Sequence, residues 1–73
     1  MFRVRVVVAG KLVNNSRVHL EGTDLSLPEG ARVRDLLTEV GVSDGEVKQV
    51  TVNGRRGRLD QSLRRNDVVE LRG

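Results

Sequence analysis

Apolar and polar residues alternate at the start of the chain, which is the pattern of a β-strand with one buried face. Phe2, Val4, Val6 and Val8 share one side, and Arg3, Arg5 and Val7 share the other. A second strand is expected within residues 18–27, where apolar residues alternate again on either side of Gly22-Thr23-Asp24. These three residues predict a bulge or turn within the second strand. Gly10 and Asn14-Asn15 supply turn residues between the two strands.

The middle of the chain changes from strand periodicity to helix periodicity. Residues 27–30, Leu-Pro-Glu-Gly, end the second strand, and apolar residues then recur at spacings i, i+3, i+4 and i+7, namely Val33, Leu36, Leu37 and Val40. This spacing predicts an amphipathic helix of about two turns. Gly41 suits a left-handed helix end, whereas Arg32 occupies the capping position where Ser, Thr or Asp is preferred. A helix this short requires packing against a sheet to persist.

The last third of the chain predicts a hairpin followed by a final strand. Val50 and Val52 lead into Asn53-Gly54, a strong hairpin signal. A short arm over residues 55–59 and a turn over residues 60–63, with Leu63 buried, come next. The final strand is expected over residues 68–71, with Val69 and Leu71 facing inward.

This order of elements is strand, strand, helix, strand, short strand, strand. It predicts an α+β fold in which one helix packs on one face of a mixed sheet of four to five strands. The simplest arrangement of this kind in a chain of 73 residues is the ubiquitin-like β-grasp. The final strand is then expected in the middle of the sheet, parallel to the first. The length predicts a single domain over residues 1–73.

Composition argues against catalysis. Phe2 is the only aromatic residue, so the core must be aliphatic and leaves little room for a cofactor. There is no cysteine, which excludes disulfides, thiolate metal sites and cysteine nucleophiles. His19 is the only histidine, and the acidic residues are scattered along the chain. We therefore expect no enzyme activity, no cofactor and no metal site.

The chain is expected to be a cytoplasmic protein without a membrane segment. Its longest purely apolar run, residues 6–9, is far too short to span a bilayer. The first residues do not have the charged and then apolar composition of a secretory leader.

Three segments of the sequence resemble the sulfur-carrier branch of the β-grasp superfamily, the MoaD/ThiS family. They are residues 27–37 (LPEGARVRDLL), 50–54 (VTVNG) and 63–71 (LRRNDVVEL). They resemble the family's strand-end-to-helix segment, its Val-Asn-Gly hairpin and its closing strand, and together they extend over residues 27–71. Asn66 stands where many members have Gly, and Asn tolerates the same turn geometry. The resemblance implies a protein partner, either an activating enzyme or a synthase-type subunit.

The resemblance also implies a role for the C-terminal glycine. Members that carry sulfur end in a flexible Gly-Gly segment whose carboxylate is adenylated and converted to a thiocarboxylate. Here Arg72 precedes Gly73, and Gly73 has a reach of only about 7 Å beyond the predicted strand. Gly73 is the candidate carrier terminus. We expect either that the acyl chemistry has been lost or that the natural chain continues.

The charge distribution suggests an alternative function. The net charge is +3, and residues 1–48 carry seven basic and seven acidic side chains, so the whole excess lies in residues 49–73. Five arginines fall in two adjacent connections, at Arg55, Arg56, Arg58, Arg64 and Arg65. They could contact a polyanion, as in a small RNA-binding module of the TGS kind, which shares the β-grasp. No aromatic residue is available there to stack on bases, so such contact would be electrostatic.

Protein binding is expected on the open face of the sheet. If the first and last strands pair as predicted, their outward residues form a candidate partner-contact face composed of Arg5, Val7, Val68, Glu70 and Arg72. We expect Arg5 to lie beside Glu70, and Val7 and Val68 to be apolar side chains left in water.

Overall fold

The computed structural model describes residues 1–9 and 22–73. It contains five strands and one α-helix: β1 Phe2–Ala9, β2 Thr23–Leu27, α1 Val33–Val40, β3 Gln49–Val52, β4 Arg55–Arg56 and β5 Val68–Arg72. A single 3₁₀ turn at Asp44–Glu46 lies between α1 and β3. The predicted turn at Gly10 and Asn14-Asn15, the part of the second strand before residue 22, and His19 lie outside the described residues.

The five strands form one mixed sheet in the order β2-β1-β5-β3-β4. The strand β5 lies at the centre, parallel to β1 and antiparallel to β3. The hairpin partners β2 and β4 pair antiparallel with β1 and β3. The predicted central position of the last strand and its parallel pairing with the first are therefore confirmed, and the fold is α+β.

The core lies between α1 and the inner face of the sheet. The inward positions of the strands and the apolar stripe of α1 are buried in one cluster, which also includes residues of the connecting segments. Its members are Phe2, Val4, Val6, Val8, Leu27, Ala31, Val33, Leu36, Leu37, Val40, Val42, Val50, Val52, Leu63, Val69 and Leu71. The core is thus aliphatic except for Phe2, as the composition predicts.

The start of α1 explains why Arg32 can occupy the N-cap. Asp35 Oδ2 accepts a hydrogen bond from the Arg32 backbone N–H at 2.9 Å. The next two amides donate to carbonyls of another segment, Val33 N–H to Gln61 and Arg34 N–H to Leu59. The first amides of a helix have no partner within the helix, so these long-range bonds replace the usual side-chain cap. At the other end, Gly41 adopts the predicted left-handed conformation, with φ of 81°.

Several predicted element boundaries differ from the structure. Thr23 and Asp24 pair regularly with Val6 and Arg5 and belong to β2, while Gly22 directly before it has a positive φ of 104°, so of the three residues of the predicted bulge or turn only Gly22 has turn geometry. The arm predicted over residues 55–59 pairs only at Arg55–Arg56. The last strand extends one residue further than predicted, to Arg72. At the turn before it, Asn66 has a φ of 67°, the left-handed geometry expected for this position.

Candidate functional site

The outer face of the sheet, opposite α1, carries the side chains that alternate with the core positions. The register places Arg5 opposite Val68 and Val7 opposite Glu70. Across β5, Glu70 is also opposite Thr51, which in turn pairs with Arg56. The five sequence-derived candidates for partner contact therefore lie on one continuous surface of β1 and β5, which we call the outer face: Arg5, Val7, Val68, Glu70 and Arg72.

Val68 is the apolar centre of the outer face. Its exposed fraction is 43%, and among the described residues only Met1 is another large hydrophobic residue exposed to this degree. Val68 lines a shallow depression of about 230 Å³ together with Arg3, Arg5, Asp24 and Asn66, among others. Basic and polar side chains thus surround one exposed valine. Val7 is only half-buried and does not stand free in water as predicted. Gly22 lies beside it, since a Cβ at Gly22 would be 3.4 Å from Val7 Cγ2.

The prediction that Arg5 lies beside Glu70 is wrong. The parallel register shifts β5 by two residues, so Val68 is the residue opposite Arg5. Glu70 instead forms an ion pair with Arg72, 3.7 Å between carboxylate and guanidinium. Both side chains are about half exposed, so this pair contributes at most about 1 kcal/mol. Arg5 has Asp24 as its neighbour on the other side, in β2.

Gly73 directly follows β5 and remains attached to the sheet. The Arg72 carbonyl accepts a hydrogen bond from the Lys48 amide at 2.8 Å, and the Gly73 amide donates to the Ala9 carbonyl at 3.4 Å. The second bond is long and therefore weak. Gly73 therefore directly follows Arg72, the last outer-face residue of β5.

A second polar region lies between the β3–β4 hairpin and the loop before β5. Three of the five candidate arginines, Arg55, Arg56 and Arg64, line an open groove of about 720 Å³ there. Arg58 and Arg65 are exposed outside the groove. The remaining lining residues are Val52, Asn53, Gln61, Ser62 and Asp67. The five arginines therefore do not form the single patch that their spacing in the sequence predicts.

A hydrogen-bond network fixes one wall of this groove. Asn53 donates from Nδ2 to Asp67 Oδ1 at 2.9 Å and accepts from the Val68 amide at 2.8 Å. Asp67 Oδ2 accepts from the Arg64 amide at 2.8 Å. Both carboxylate oxygens of Asp67 are thus occupied by neutral donors. The network ties the hairpin turn to the loop that carries Arg64.

Sequence reasoning missed several polar residues that share these surfaces. Thr51 and Gln49 lie on the outer face beside Glu70 and Arg72. The alternation in the sequence predicts their position, since both residues alternate with the buried Val50 and Val52 and must point to the opposite side of the sheet. In the part of the chain that the structure describes, no cluster of three or more His, Cys, Asp or Glu side chains could hold a metal ion. No helix within residues 1–9 and 22–73 has the length and apolarity needed to cross a membrane.

Comparison with known proteins identifies structural relatives. A protein from Pyrococcus furiosus described as molybdopterin converting factor subunit 1 has a TM-score of 0.75 and 27% identity, with 99% of this chain and 97% of that chain aligned. The small archaeal modifier protein 1 of Haloferax volcanii aligns in one crystal structure with a TM-score of 0.75, 16% identity and the same coverage. A further crystal structure of it gives a TM-score of 0.69 and 14% identity over 94% of this chain and 91% of that one. No protein-family model and no curated protein sequence matches the chain.

Proposed function

We propose that this chain is a sulfur carrier that works through contact with a protein partner and is not itself a catalyst. The proposal starts from the fold, which is a ubiquitin-like β-grasp of the MoaD/ThiS type. In this proposal residues 1–73 form one domain in the cytoplasm. The outer face binds an activating enzyme or a synthase-type subunit, and the carboxylate of Gly73 is the group that is activated. The structural relatives are described as a molybdopterin converting factor subunit and a small archaeal modifier protein, and both descriptions fit a carrier or modifier.

The observation that carries this proposal is the continuity of the outer face with Gly73. The strand β5 presents Val68, Glu70 and Arg72 on that face, and Gly73 follows Arg72 directly. A partner bound over Val68 would therefore reach the C-terminal carboxylate along a single strand, about 3.3 Å per residue. An exposed apolar side chain within a polar rim is also the usual composition of a protein-binding surface.

The proposed chemistry occurs on the Gly73 carboxylate in two steps. A carboxylate oxygen attacks the α-phosphate of ATP, pyrophosphate leaves, and an acyl adenylate forms. A sulfide or persulfide sulfur from a donor then attacks the acyl carbon, and AMP leaves with the oxygen. With sulfide the product is directly a thiocarboxylate, in which one oxygen has been replaced by sulfur. With a persulfide donor an acyl disulfide forms first, and a thiol cleaves its S–S bond, which releases the thiocarboxylate and leaves the donor sulfur in a disulfide with that thiol. The partner supplies the catalytic groups for both steps.

The side chain of Arg72 determines how much space, and what charge, the proposed partner needs around the C-terminal residues. In the proposed complex the weak bond from the Gly73 amide to Ala9 breaks, which frees the last residue at small cost because the bond is 3.4 Å long. Arg72 must also be accommodated, either in a channel wide enough for its side chain or with its guanidinium on the partner's surface. An activating enzyme adapted to this chain would therefore have an acidic or open entrance.

Mass spectrometry of the C-terminal peptide tests the proposal. The chain is incubated with ATP, a sulfur donor and a MoaD/ThiS-type activating enzyme from the same cell, and the peptide containing Gly73 is isolated. A gain of about 16 Da on Gly73, lost when ATP is omitted, is the expected result, since sulfur replaces oxygen. The enzyme's own carrier protein serves as the positive control. An unchanged Gly73 peptide in the presence of a fully modified control would overturn the proposal.

A further inference from the structure

We propose that the groove lined by Arg55, Arg56 and Arg64, here called the arginine groove, binds the phosphate backbone of nucleic acid. This inference is independent of the carrier function, since the arginine groove lies beside the β3–β4 hairpin and Gly73 lies at the other end of β5. Three lines of observation support it: the presence of three arginines along one groove, their lack of ion pairs among the described residues, and the open shape of the groove.

Two segments of the fold carry the arginines that line this groove. Arg55 and Arg56 form the two-residue edge strand β4, and Arg64 lies in the loop that leads to β5. The Asn53–Asp67 hydrogen bond joins these two segments, which are fourteen residues apart in the chain. The arginines are therefore positioned by the fold itself, and binding does not have to organise the backbone that carries them.

One carboxylate, Asp67, lines the arginine groove and lowers the formal charge of the lining from +3 to +2, but it forms no ion pair with the three arginines. Asp67 uses one oxygen for the Asn53 amide group and the other for the Arg64 backbone amide. Within residues 1–9 and 22–73, no acidic side chain lies within ion-pair distance of Arg55, Arg56 or Arg64. None of the three guanidinium groups is therefore held in an ion pair within the described part of the chain, and the guanidinium fork matches phosphate oxygens in pairs.

The shape of the arginine groove favours an extended polyanion. Its volume of about 720 Å³ is open to solvent, and Val52 is the only apolar side chain among its lining residues. A small ligand would gain little from so open and polar a site, because such ligands bind in enclosed and mostly apolar pockets. The one aromatic residue, Phe2, is buried in the core and cannot stack on a base. Recognition is therefore restricted to phosphates and independent of base sequence.

Fluorescence anisotropy with labelled twelve-nucleotide oligo(U) and oligo(A) tests this inference. We expect equal affinities for the two probes. Between 50 and 200 mM salt, we expect binding to weaken about 20-fold, since three phosphate contacts give a logarithmic salt slope of about 2. The triple variant Arg55→Gln, Arg56→Gln, Arg64→Gln should bind at least about tenfold more weakly at 50 mM salt. A matched duplex is the third probe: binding to either backbone form supports the inference, and no binding to any of the three probes at 50 mM salt would overturn it.

The control variant Arg34→Gln, Arg58→Gln, Arg65→Gln removes the same charge from exposed arginines outside the arginine groove. This control variant should bind no more than about threefold more weakly than the unmodified chain, which is half of the loss in binding free energy expected for the groove variant. Equal weakening by both variants would overturn the inference, because it would show a general charge effect. A glutamate hexapeptide that displaces oligo(U) as efficiently as unlabelled oligo(U) does would also overturn it, in favour of an acidic protein segment. Circular dichroism melting of both variants verifies that they are folded.

Discussion

Asn53 and Asp67 join the β3–β4 turn to the loop before β5 through a hydrogen bond of 2.9 Å between Asn53 Nδ2 and Asp67 Oδ1. Asn53 also has a positive φ of 55° and accepts a second side-chain bond from the Val68 amide. One residue therefore serves both as the turn residue and as the link between the hairpin and the central strand. The outer face and the arginine groove both depend on this link, since Val68 belongs to one and Asp67 to the other.

Two substitutions of Asn53 should separate its role as a turn residue with positive φ from its role as a side-chain hydrogen-bond link. Asn53→Gly keeps the positive φ but loses two side-chain hydrogen bonds, and we expect a loss of about 1–2 kcal/mol in the free energy of unfolding. Asn53→Ala also forces an unfavourable left-handed geometry, and should lose about 1 kcal/mol more. Urea denaturation followed by circular dichroism measures both values. An alanine variant as stable as the glycine variant would contradict the role of backbone geometry here.

Two glycines provide a matched pair that tests the packing around the arginine groove. A Cβ on Gly57 would lie 2.9 Å from Val52 Cγ2 and 3.0 Å from Gln61 Oε1, whereas a Cβ on Gly45 would meet nothing within 4 Å. We expect Gly57→Ala to destabilise the fold by about 1–3 kcal/mol, as overpacking does. Gly45→Ala should be neutral or should stabilise by up to about 1 kcal/mol, because it restricts the unfolded chain. Thermal melting of the two variants under one buffer condition decides this prediction, and equal melting temperatures would refute it.

Periodicity was sufficient to predict which residues face the core but not how the strands align. The alternation in β1 and β5 indicates the buried side of each strand, and the spacing of Val33, Leu36, Leu37 and Val40 indicates the buried side of α1. A shift of two residues between parallel strands leaves every side chain on the same face. For this reason the sides were predicted correctly, and the pairing of Arg5 with Glu70 was not.

The arginines show a second limit of sequence reasoning. Arg55, Arg56, Arg58, Arg64 and Arg65 are equally plausible as one charged patch when only their spacing is known. Their division depends on the long-range contact of Asn53 with Asp67 and on the short pairing of β4. In the same way, the capping of α1 by carbonyls of residues 59–61 could not be predicted from local preferences, because it involves segments far apart in sequence.

Val68 should contribute to partner binding more than to stability. Its exposed fraction of 43% means that Val68→Ser removes little buried surface, so we expect a loss of less than about 1 kcal/mol in the free energy of unfolding. Affinity for the activating enzyme should fall about tenfold, which corresponds to about 1.4 kcal/mol. Surface plasmon resonance with immobilised enzyme measures this change. Thr38→Ala, on the exposed side of α1, is the control and should bind like the unmodified chain. Undiminished binding of Val68→Ser would place the partner elsewhere.

Arg72→Gly creates a Gly-Gly sequence at residues 72–73, and under the proposed function it tests whether Arg72 limits activation. The substitution removes the ion pair with Glu70 and introduces glycine at the last position of β5, so we expect stability to fall by about 0.5–1.5 kcal/mol. Thiocarboxylate formation on Gly73 should nevertheless become several-fold faster with an activating enzyme that normally serves a Gly-Gly carrier. The reason is that the extended backbone then enters a narrow channel without a bulky side chain.

Arg72→Lys is the matched control, since it keeps both bulk and charge and should react as slowly as the unmodified chain. The rate is measured from the 16 Da mass gain over time. If Arg72→Gly and Arg72→Lys react equally fast, the channel does not discriminate at this position, and the wide entrance inferred for the partner is not needed.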